Sequence, residues 1–495
     1  MKNIVCLALV LNILAGCSTS GSKETAENVA PDISDLLVTS ELQKSLSARR
    51  EILLSRIEKG TIIIRSDYGF DGGRHAYRAS DNFFYLAGIN QPGAAIVMKK
   101  GNPSSVALLL RNRTIRETIY DGETPSPEHL TEKYRLDYVL PYEELDRLIL
   151  ENIKANLPLY TDFNDDFRKN KIIDLLKKEK VPEAHLKDIA PEIHELRIFK
   201  DSLEVERIQK AINITGEALV NALRMSRPGL YEFEVEAIIE GTFLRNGSSM
   251  PAFESIVGSG PNSVTLHYGA NNRKMEDGDL LLIDIGAEYG NYCADITRTI
   301  PVNGKFSKEQ KDIYQLVLKA QKAAISAMKP GNQLIEGQNR YRETVIQGLF
   351  ELGLLTDPES DWQRKFYIIH GTSHYLGLNV HDVGNYGAPD SVFSRNAATT
   401  SSGSRMLEKG MVLTVEPGIY LRSNGLSQLN EMYGKEVSEE EIEEFIERVG
   451  PVYEKYMNIG VRIEDDILIT DTGCLIMSEN IPKEIDEIES VMRKK

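Results

Sequence analysis

Residues 279–302, DLLLIDIGAEYGNYCADITRTIPV, decide how the second half of the chain folds. Two apolar runs flank a central Gly-Asn dipeptide, which is typical of a two-residue β-hairpin turn. Pairing the strands around that turn sets Asp284 opposite Thr297, and Asp295 lies two residues from Thr297 on the same face. Diagonal cross-strand neighbours are roughly 7–8 Å apart at Cα, so their side chains can meet. The stretch therefore predicts two carboxylates gathered on one face of a hairpin, where a pair of metal ions can bind.

Three further residues extend this pattern. His374 occurs in HGTSHYLGLNVHD, Glu416 in LTVEPGIY and Glu464 in GVRIEDD. The acids fall in or beside β-like runs, where an unpaired charge is costly to bury. Carboxylates with one imidazole form an oxygen-rich site that suits Mn²⁺, Co²⁺ or Zn²⁺ and differs from a thiolate-rich structural zinc site. Arg462 alternates with Glu464, so it faces the same side and can hold a ligand carboxylate in place.

Together these blocks resemble the pita-bread metallopeptidases and, within them, aminopeptidase P (Xaa-Pro aminopeptidase). The similarity runs from about residue 60 to 485 and includes LHY at 266–268 and, in the first half, SDNFFYLAGINQPGA. The resemblance implies an α/β protein: a creatinase/aminopeptidase-P-like α/β domain over residues 37–198, then a pita-bread α+β catalytic domain with pseudo-twofold symmetry over 199–490. Strands that alternate with helices in the first half favour the same α/β class.

The resemblance also implies a site with two divalent metal ions, with Mn²⁺ favoured and Co²⁺ or Zn²⁺ as alternatives. Asp295 and Glu464 would bridge the ions, Asp284 would bind one of them, and His374 with Glu416 would bind the other. These five residues are the predicted metal ligands.

The same resemblance assigns the proton chemistry. Glu416 is the predicted general base, and His267, His370 and His381 are the predicted substrate-binding and proton-handling histidines. Arg462 and Thr297 are predicted to support the ligands.

The activity implied is that of an exopeptidase which removes the N-terminal residue from peptides with proline in the second position. Proline lacks an N–H, so a pocket that selects it needs an apolar wall and no hydrogen-bond acceptor. Two alternatives stay open: a prolidase-type Xaa-Pro dipeptidase, and a catalytically inactive peptide-binding lipoprotein.

The composition and net charge of the chain limit the kinds of molecule that it is expected to bind. The 495 residues are 41% hydrophobic and 27% charged, with a net charge of −16. Nucleic-acid binding rests on basic surface meeting phosphate, so no nucleic-acid partner is expected. The resemblance favours a homo-oligomer, a dimer or a tetramer.

The first residues resemble a bacterial lipoprotein signal. Lys2 precedes an apolar run at 4–14, and the sequence LAGC ends at Cys17. The run is too short to span a bilayer. We expect residues 1–16 to be removed, Cys17 to carry lipid, and residues 17–36 to form a flexible tether. The protein would then be exported and held on the periplasmic or cell-surface side of a membrane.

Three features depart from the aminopeptidase P pattern. The segments 387–410 and 421–459 are longer than expected, and the second contains an acidic stretch, 436–456, that predicts an exposed amphipathic helix. Phe84 stands where the family often has tryptophan.

Overall fold

A computed structural model describes residues 40–66, 77–163, 166–182, 185–387 and 404–494. The predicted signal peptide, the lipidation site at Cys17, the tether and most of segment 387–410 lie outside those residues. Within the described ranges, no helix has both the length and the apolar character needed to cross a membrane.

The first domain is a six-stranded sheet covered by helices. Its elements are α1 (Ser40–Ser55), β1 (Gly60–Arg65), α2 (Asp81–Ala87), β2 (Ala95–Lys100), β3 (Ser105–Leu110), α3 (Ile115–Asp121), α4 (Pro127–Tyr134), β4 (Tyr138–Pro141), α5 (Glu144–Lys154), β5 (Leu159–Thr161), α6 (Asp166–Lys178), β6 (Leu186–Asp188) and α7 (Ala190–Ile198). The strand order is β4-β3-β2-β1-β5-β6. Ile62 and Ile64 of β1 face one apolar core, whereas Ile63 faces another. The sheet is therefore covered on both faces, as an α/β domain requires.

The second domain places helices around several small antiparallel sheets. Its elements are α8 (Ser202–Met225), α9 (Glu232–Arg245), β7 (Ile256–Ser259), β8 (Leu280–Ile285), β9 (Glu288–Tyr289), β10 (Tyr292–Cys293), β11 (Ile296–Pro301), α10 (Lys308–Ala327), α11 (Leu334–Glu351), α12 (Asp361–Tyr367), β12 (Val412–Val415), β13 (Gly418–Leu421), α13 (Leu429–Tyr433), α14 (Glu439–Tyr456), β14 (Ile459–Arg462), β15 (Asp465–Ile469), β16 (Cys474–Ile476) and α15 (Ile485–Arg493). The sheets have the orders β11-β8-β7, β12-β15-β16 and β13-β14.

The long helix α8 opens this domain with a capping box. The Asp201 side chain accepts a hydrogen bond from the backbone N–H of Glu204, whose carboxylate accepts from the Asp201 backbone N–H. This arrangement satisfies two helix-end donors, and the Asp-Ser-Leu-Glu sequence predicts it.

The predicted hairpin forms with the predicted register. Gly290 and Asn291 both have positive φ, 58° and 69°, as a two-residue turn of this kind requires. β9 and β10 pair around that turn, and further along β8 pairs with β11 so that Asp284 lies opposite Thr297.

The predicted acidic helix is α14. Its buried stripe of Ile442, Phe445 and Val449 faces the protein, and its glutamates face outward. Phe445 packs edge-on against Trp362 of α12, with ring centroids 4.9 Å apart. Helix α14 therefore supports α12, which leads directly into the residues around His370.

Polar contacts join the two domains. The Nε atom of Arg78 donates to Glu288 at 2.6 Å, and the side-chain amides of Asn90 and Asn291 exchange hydrogen bonds of 2.8 and 3.0 Å. Arg197 of α7 donates to the buried carboxylate of Asp382 at 2.5 Å. Since Asn291 belongs to the hairpin turn and Asp382 follows His381, the first domain holds two loops of the second.

Candidate metal centre

The five predicted ligands converge because each lies on β8 or in a connection next to a strand. Asp284 is in β8, and Asp295 links β10 to β11. Glu416 links β12 to β13, and Glu464 links β14 to β15. His374 lies on a loop held against β12, where its carbonyl accepts from the backbone N–H of Thr414 at 3.0 Å. All five side chains line one cleft of about 940 Å³.

The distances within the group suit metal coordination. Ligand atoms of Asp295, His374 and Glu464 all lie within 4.8 Å of one another. The Nε2 atom of His374 is 3.4 Å from a carboxylate oxygen of Asp295 and 3.7 Å from one of Glu416. These oxygens and this nitrogen surround a space that a divalent ion fits.

Among the predicted ligands, three buried carboxylate oxygens lack a hydrogen-bond partner in the part of the chain that the structure describes: Oδ1 of Asp284, Oδ1 of Asp295 and Oε1 of Glu464. Burial, reinforced by neighbouring carboxylates, raises the pKa of Asp295 and of Glu464 well above their usual values. Such a group of unmatched acids is unfavourable unless a cation neutralises it. The donor set therefore fits divalent metal ions.

The orientation of His374 is fixed by the backbone of the residue that follows it. Its Nδ1 atom lies 3.2 Å from the carbonyl oxygen of Tyr375, to which it donates, so Nε2 presents a lone pair to the carboxylates. The ring of His381 stacks on that of His374, with centroids 4.1 Å apart.

Arg462 is the centre of the supporting network. Its guanidinium pairs with Oδ2 of Asp284, donates from Nε to the hydroxyl of Thr297 at 3.1 Å, and donates from Nη1 to the hydroxyl of Tyr420 at 2.8 Å. Thr297 in turn donates to Glu464 at 2.7 Å. Arg462 and Thr297, the two residues predicted to support the ligands, both contact carboxylates of predicted ligands, and Arg462 also lines the cleft.

His370 is held at both ring nitrogens. Nδ1 is 2.6 Å from the carbonyl oxygen of Gly371, and Nε2 is 3.0 Å from the hydroxyl of Tyr420. Burial, with the charge of Arg462 next in effect, lowers the pKa of His370 to about 4. The imidazole is therefore neutral at neutral pH; Nδ1–H donates to Gly371, and Nε2 accepts from Tyr420.

The other two predicted histidines lie at the surface of the cleft. His267 and His381 both line it and are exposed to solvent. The structure therefore brings all predicted catalytic and ligand residues around one cleft.

Tyr420 was not singled out from the sequence, although it joins Arg462 to His370. Burial raises the pKa of Tyr420 to about 12, so its hydroxyl stays protonated and can donate. A signal existed: Tyr420 lies two residues after Gly418 in a strand that begins beside Glu416, so alternation brings it toward the site.

A cleft in which four carboxylates surround one imidazole, with unmatched buried oxygens, defines a metal-dependent enzyme centre. Comparison with known proteins gives the family. Residues 206–471 match metallopeptidase family M24, and residues 46–160 match the N-terminal domain of aminopeptidase P. The chain belongs to metallopeptidase family M24, and the predicted fold class, with its α/β domain followed by a pita-bread domain, is confirmed.

Relatives cover most of the chain. A Xaa-Pro aminopeptidase of Haemophilus influenzae is 36% identical over 84% of this chain and 89% of its own length. A human Xaa-Pro dipeptidase is 30% identical over 84% of each chain. The solved structure of E. coli aminopeptidase P with the inhibitor Pro-Leu matches with a TM-score of 0.78 at 32% identity, over 92% of this chain and 99% of that chain.

Proposed function

We propose that this protein removes the N-terminal residue from peptides with proline in the second position, using a dinuclear metal centre. The observation that carries this proposal is the set of four carboxylates and one imidazole in one cleft, three of whose buried oxygens have no partner among the described residues. Membership of the metallopeptidase family supports hydrolysis as the reaction.

In this proposal, five side chains would hold the metal ions. The resemblance to aminopeptidase P assigns Asp295 and Glu464 as shared by two ions, Asp284 to one site, and His374 with Glu416 to the other. The close approach of Asp295, His374 and Glu464 to one another, and of His374 to Glu416, supports this assignment. When bound, the ions supply a Lewis acid and lower the pKa of water at the site. Mn²⁺ is the ion we propose, because hard oxygen ligands predominate.

Glu416 is the proposed proton carrier. One of its oxygens lies 3.7 Å from Nε2 of His374, and the other lies 3.8 Å from Nδ1 of His370. The side chain is partly exposed to the cleft, so it can take a proton from the attacking water and return it to the departing proline nitrogen.

The histidines that face the cleft bind the substrate. His381 and His267 can donate to the carbonyl oxygen as negative charge develops on it. Neutral His370 contributes a fixed wall, because Tyr420 and Gly371 hold its two nitrogens.

The cleft offers the apolar surface that proline needs. Phe253, Leu266, Ile369 and Val380 line it beside the ligands. A proline ring packs against such a surface without a hydrogen-bond acceptor for its nitrogen, which carries no N–H.

The experiment is a Mn²⁺-supplemented assay that compares an Xaa-Pro dipeptide with an Xaa-Pro-Xaa tripeptide. We expect efficient release of the first residue from the tripeptide. Cleavage restricted to the dipeptide would instead identify a prolidase, in line with the human dipeptidase relative. A metal-free purified protein that cleaves neither peptide would support the inactive binding-protein alternative.

We further propose that Cys17 carries lipid and that the enzyme is exported and anchored at the periplasmic or cell-surface side of a bacterial membrane. The leader sequence supports this assignment. Incorporation of labelled fatty acid into the wild type, but not into Cys17→Ala, tests it.

We also propose a homo-oligomer. Ile115, Ile119 and Tyr120 on α3 are 84%, 76% and 74% exposed, and a patch of this kind marks an association surface. Light scattering should report a dimer or tetramer, whereas a monomeric mass would contradict the assignment.

A further inference from the structure

A second cavity of about 740 Å³ borders the catalytic cleft. It lies between α11 and α12, and it shares Arg342 and Ile368 with the cleft that contains the ligands. Arg342 therefore stands at the junction of the two spaces. The ligands and the histidines of the metal centre do not line this second cavity among the described residues.

The acids that line the second cavity are all neutralised by neighbouring cations. Their ion pairs are Glu359 with Arg364 at 3.0 Å, Asp361 with Lys365 at 3.0 Å, and Glu343 with Arg340 at 3.4 Å. The cations Arg364 and Lys365 are thereby also occupied. Among the described residues of the lining, Arg342 is the cation that lacks an ion pair, although the charge of Asp361 acts on it at longer range.

The side chain of Arg342 is half-buried. Its guanidinium has no ion pair or hydrogen bond to any part of the chain that the structure describes. Burial lowers the pKa of Arg342. The pKa of Arg405 is raised instead, mainly because its guanidinium is hydrogen-bonded to Glu195, so the comparison shows what a partner does for a partly buried arginine. A guanidinium presents a rigid fork that matches a carboxylate with two parallel hydrogen bonds. A partly desolvated fork at the junction of two cavities is thus suited to an anionic part of a ligand that enters from the cleft.

We propose that Arg342 binds the C-terminal carboxylate of a short Xaa-Pro-Xaa peptide whose first bond lies at the metal centre, with the third side chain entering the second cavity. The inference rests on the proposed function. A dipeptide carries its carboxylate on the proline itself, beside the metal ligands, whereas a third residue moves that charge away from the ligands toward the junction. Each cavity falls in the size range of a small-ligand site, so the two in series accommodate more than a dipeptide.

The test uses two tripeptides, Ala-Pro-Leu and its C-terminal amide, with the wild type, Arg342→Gln and Arg340→Gln. Wild type should show a KM at least about tenfold lower for the acid than for the amide, since a hydrogen-bonded charge pair is lost in the amide. Arg342→Gln should raise KM for the acid to that of the amide, with kcat little changed. Arg340→Gln, on the same helix but paired at the surface, should retain the discrimination.

Binding of the product-like dipeptide Pro-Leu and of its amide, measured by calorimetry on the metal-loaded protein, checks the same preference without turnover. Equal affinity of wild type for both, or equal loss of both in Arg342→Gln, overturns the assignment. The amide of Ala-Pro-Glu separates the two sources of a carboxylate: discrimination restored by its side chain would move the site from the chain terminus to an acidic third residue. If wild type cleaves neither tripeptide, the proposed function is refuted. If it cleaves both equally well, only the role of Arg342 is refuted.

Discussion

The two carboxylate oxygens of Glu416 face different neighbours, which suits the two roles proposed for this residue. One points toward His374 and the metal ligands, and the other toward the cleft beside His370. Its backbone N–H donates to the Thr372 carbonyl oxygen at 2.8 Å, which fixes where the side chain starts. A substitution that keeps its shape but removes its basicity should separate proton transfer from metal binding.

We therefore expect Glu416→Gln to lower kcat by about 10²–10⁴-fold, the usual contribution of general acid–base catalysis. Metal should remain partly bound, because Asp284, Asp295, His374 and Glu464 are intact. Steady-state kinetics together with metal analysis by mass spectrometry measure both effects. Glu447→Gln, on the exposed face of α14, serves as the control, and near-normal turnover in Glu416→Gln would rule out its role as base.

Removal of metal should make stability depend on pH. In the folded metal-free protein, burial and neighbouring acids raise the pKa of Asp295 and Glu464, so these groups hold protons that the unfolded chain releases at about pH 4. The folded state then binds more protons than the unfolded state, and the free energy of unfolding falls as pH rises through the raised pKa values.

Thermal unfolding with a chelator should thus give a lower Tm at about pH 8 than at about pH 5.5. Both values lie above the pKa of about 4 at which these acids titrate in the unfolded chain. Asp295→Asn should flatten this dependence, whereas Asp471→Asn at the surface should not. A metal-free protein whose Tm rises between those two conditions would contradict the charge arrangement described for the site.

The sequence pointed to four acids as candidate ligands, with His374 as the nitrogen ligand proposed beside them, because acids beside apolar runs are costly to bury without a partner. The sequence did not indicate that both ring nitrogens of His370 are hydrogen-bonded, since the fold is what brings the Gly371 carbonyl and the Tyr420 hydroxyl to the ring. Which nitrogen of a histidine is free depends on neighbours a few ångströms away, and a linear pattern does not contain them.

The hairpin is the element that brings Asp284 and Asp295 together, and one glycine controls how closely its strands approach. A Cβ on Gly286 would lie 1.8 Å from the carbonyl oxygen of Ala294 and 2.9 Å from the ring of Phe253. The strand must shift to admit it, and the two aspartates flank that point.

Gly286→Ala should consequently destabilise the protein by about 1–3 kcal/mol, as overpacking does, and weaken metal affinity at least about tenfold. Chemical denaturation and metal titration measure these two effects. Gly241→Ala is the matched control: it lies in α9 with open space around its Cβ, and we expect it to be neutral or slightly stabilising. Equal behaviour of the two variants would show that the hairpin spacing does not matter.

Among the elements, the hairpin was predicted with its register and α2 was missed. Alternation and a Gly-Asn turn together determine a hairpin locally. The seven residues of α2, DNFFYLA, are too short and too aromatic to show helical periodicity. Their helix is stabilised by burial of Phe83, Phe84 and Leu86 in the core of the first domain, which only the tertiary structure supplies.

Across the whole molecule, a buried charge network connects the first domain to the loop that carries His381. Asp382 accepts from Arg197 at 2.5 Å and from Lys200 at 3.4 Å, and all three side chains are buried. Arg197 also donates to the side chain of Asn82 at 2.7 Å. The position of His381 thus depends on residues of both domains.

Arg197→Met should cost about 3–5 kcal/mol of unfolding free energy, because it leaves a buried carboxylate underpaired. It should also lower kcat by displacing His381. Arg56→Met, which removes an exposed pair with Glu192, should change stability by less than about 1 kcal/mol. Denaturation curves with activity assays compare them, and a small effect in Arg197→Met would mean that the loop holds its shape unaided.

The sequence contains both halves of this network but does not indicate that they meet. Arg197 and Asp382 are separated by 185 residues, and each lies in a motif that has its own local explanation. The two-domain order was predictable from the alternation of strands and helices and from the order of the motifs shared with the aminopeptidase P family; the polar contacts between the domains depend on packing over the full chain.

Because α14 packs against α12, the range of peptides that the enzyme accepts can change separately from its hydrolytic chemistry. Helix α14 packs its Phe445 on Trp362 of α12, and α12 also borders the second cavity through Asp361, Arg364 and Lys365. Changes in α14 can therefore reshape the room beyond the proline while the five proposed ligands keep their places. Over evolutionary time, the range of accepted peptides can drift independently of the hydrolytic chemistry.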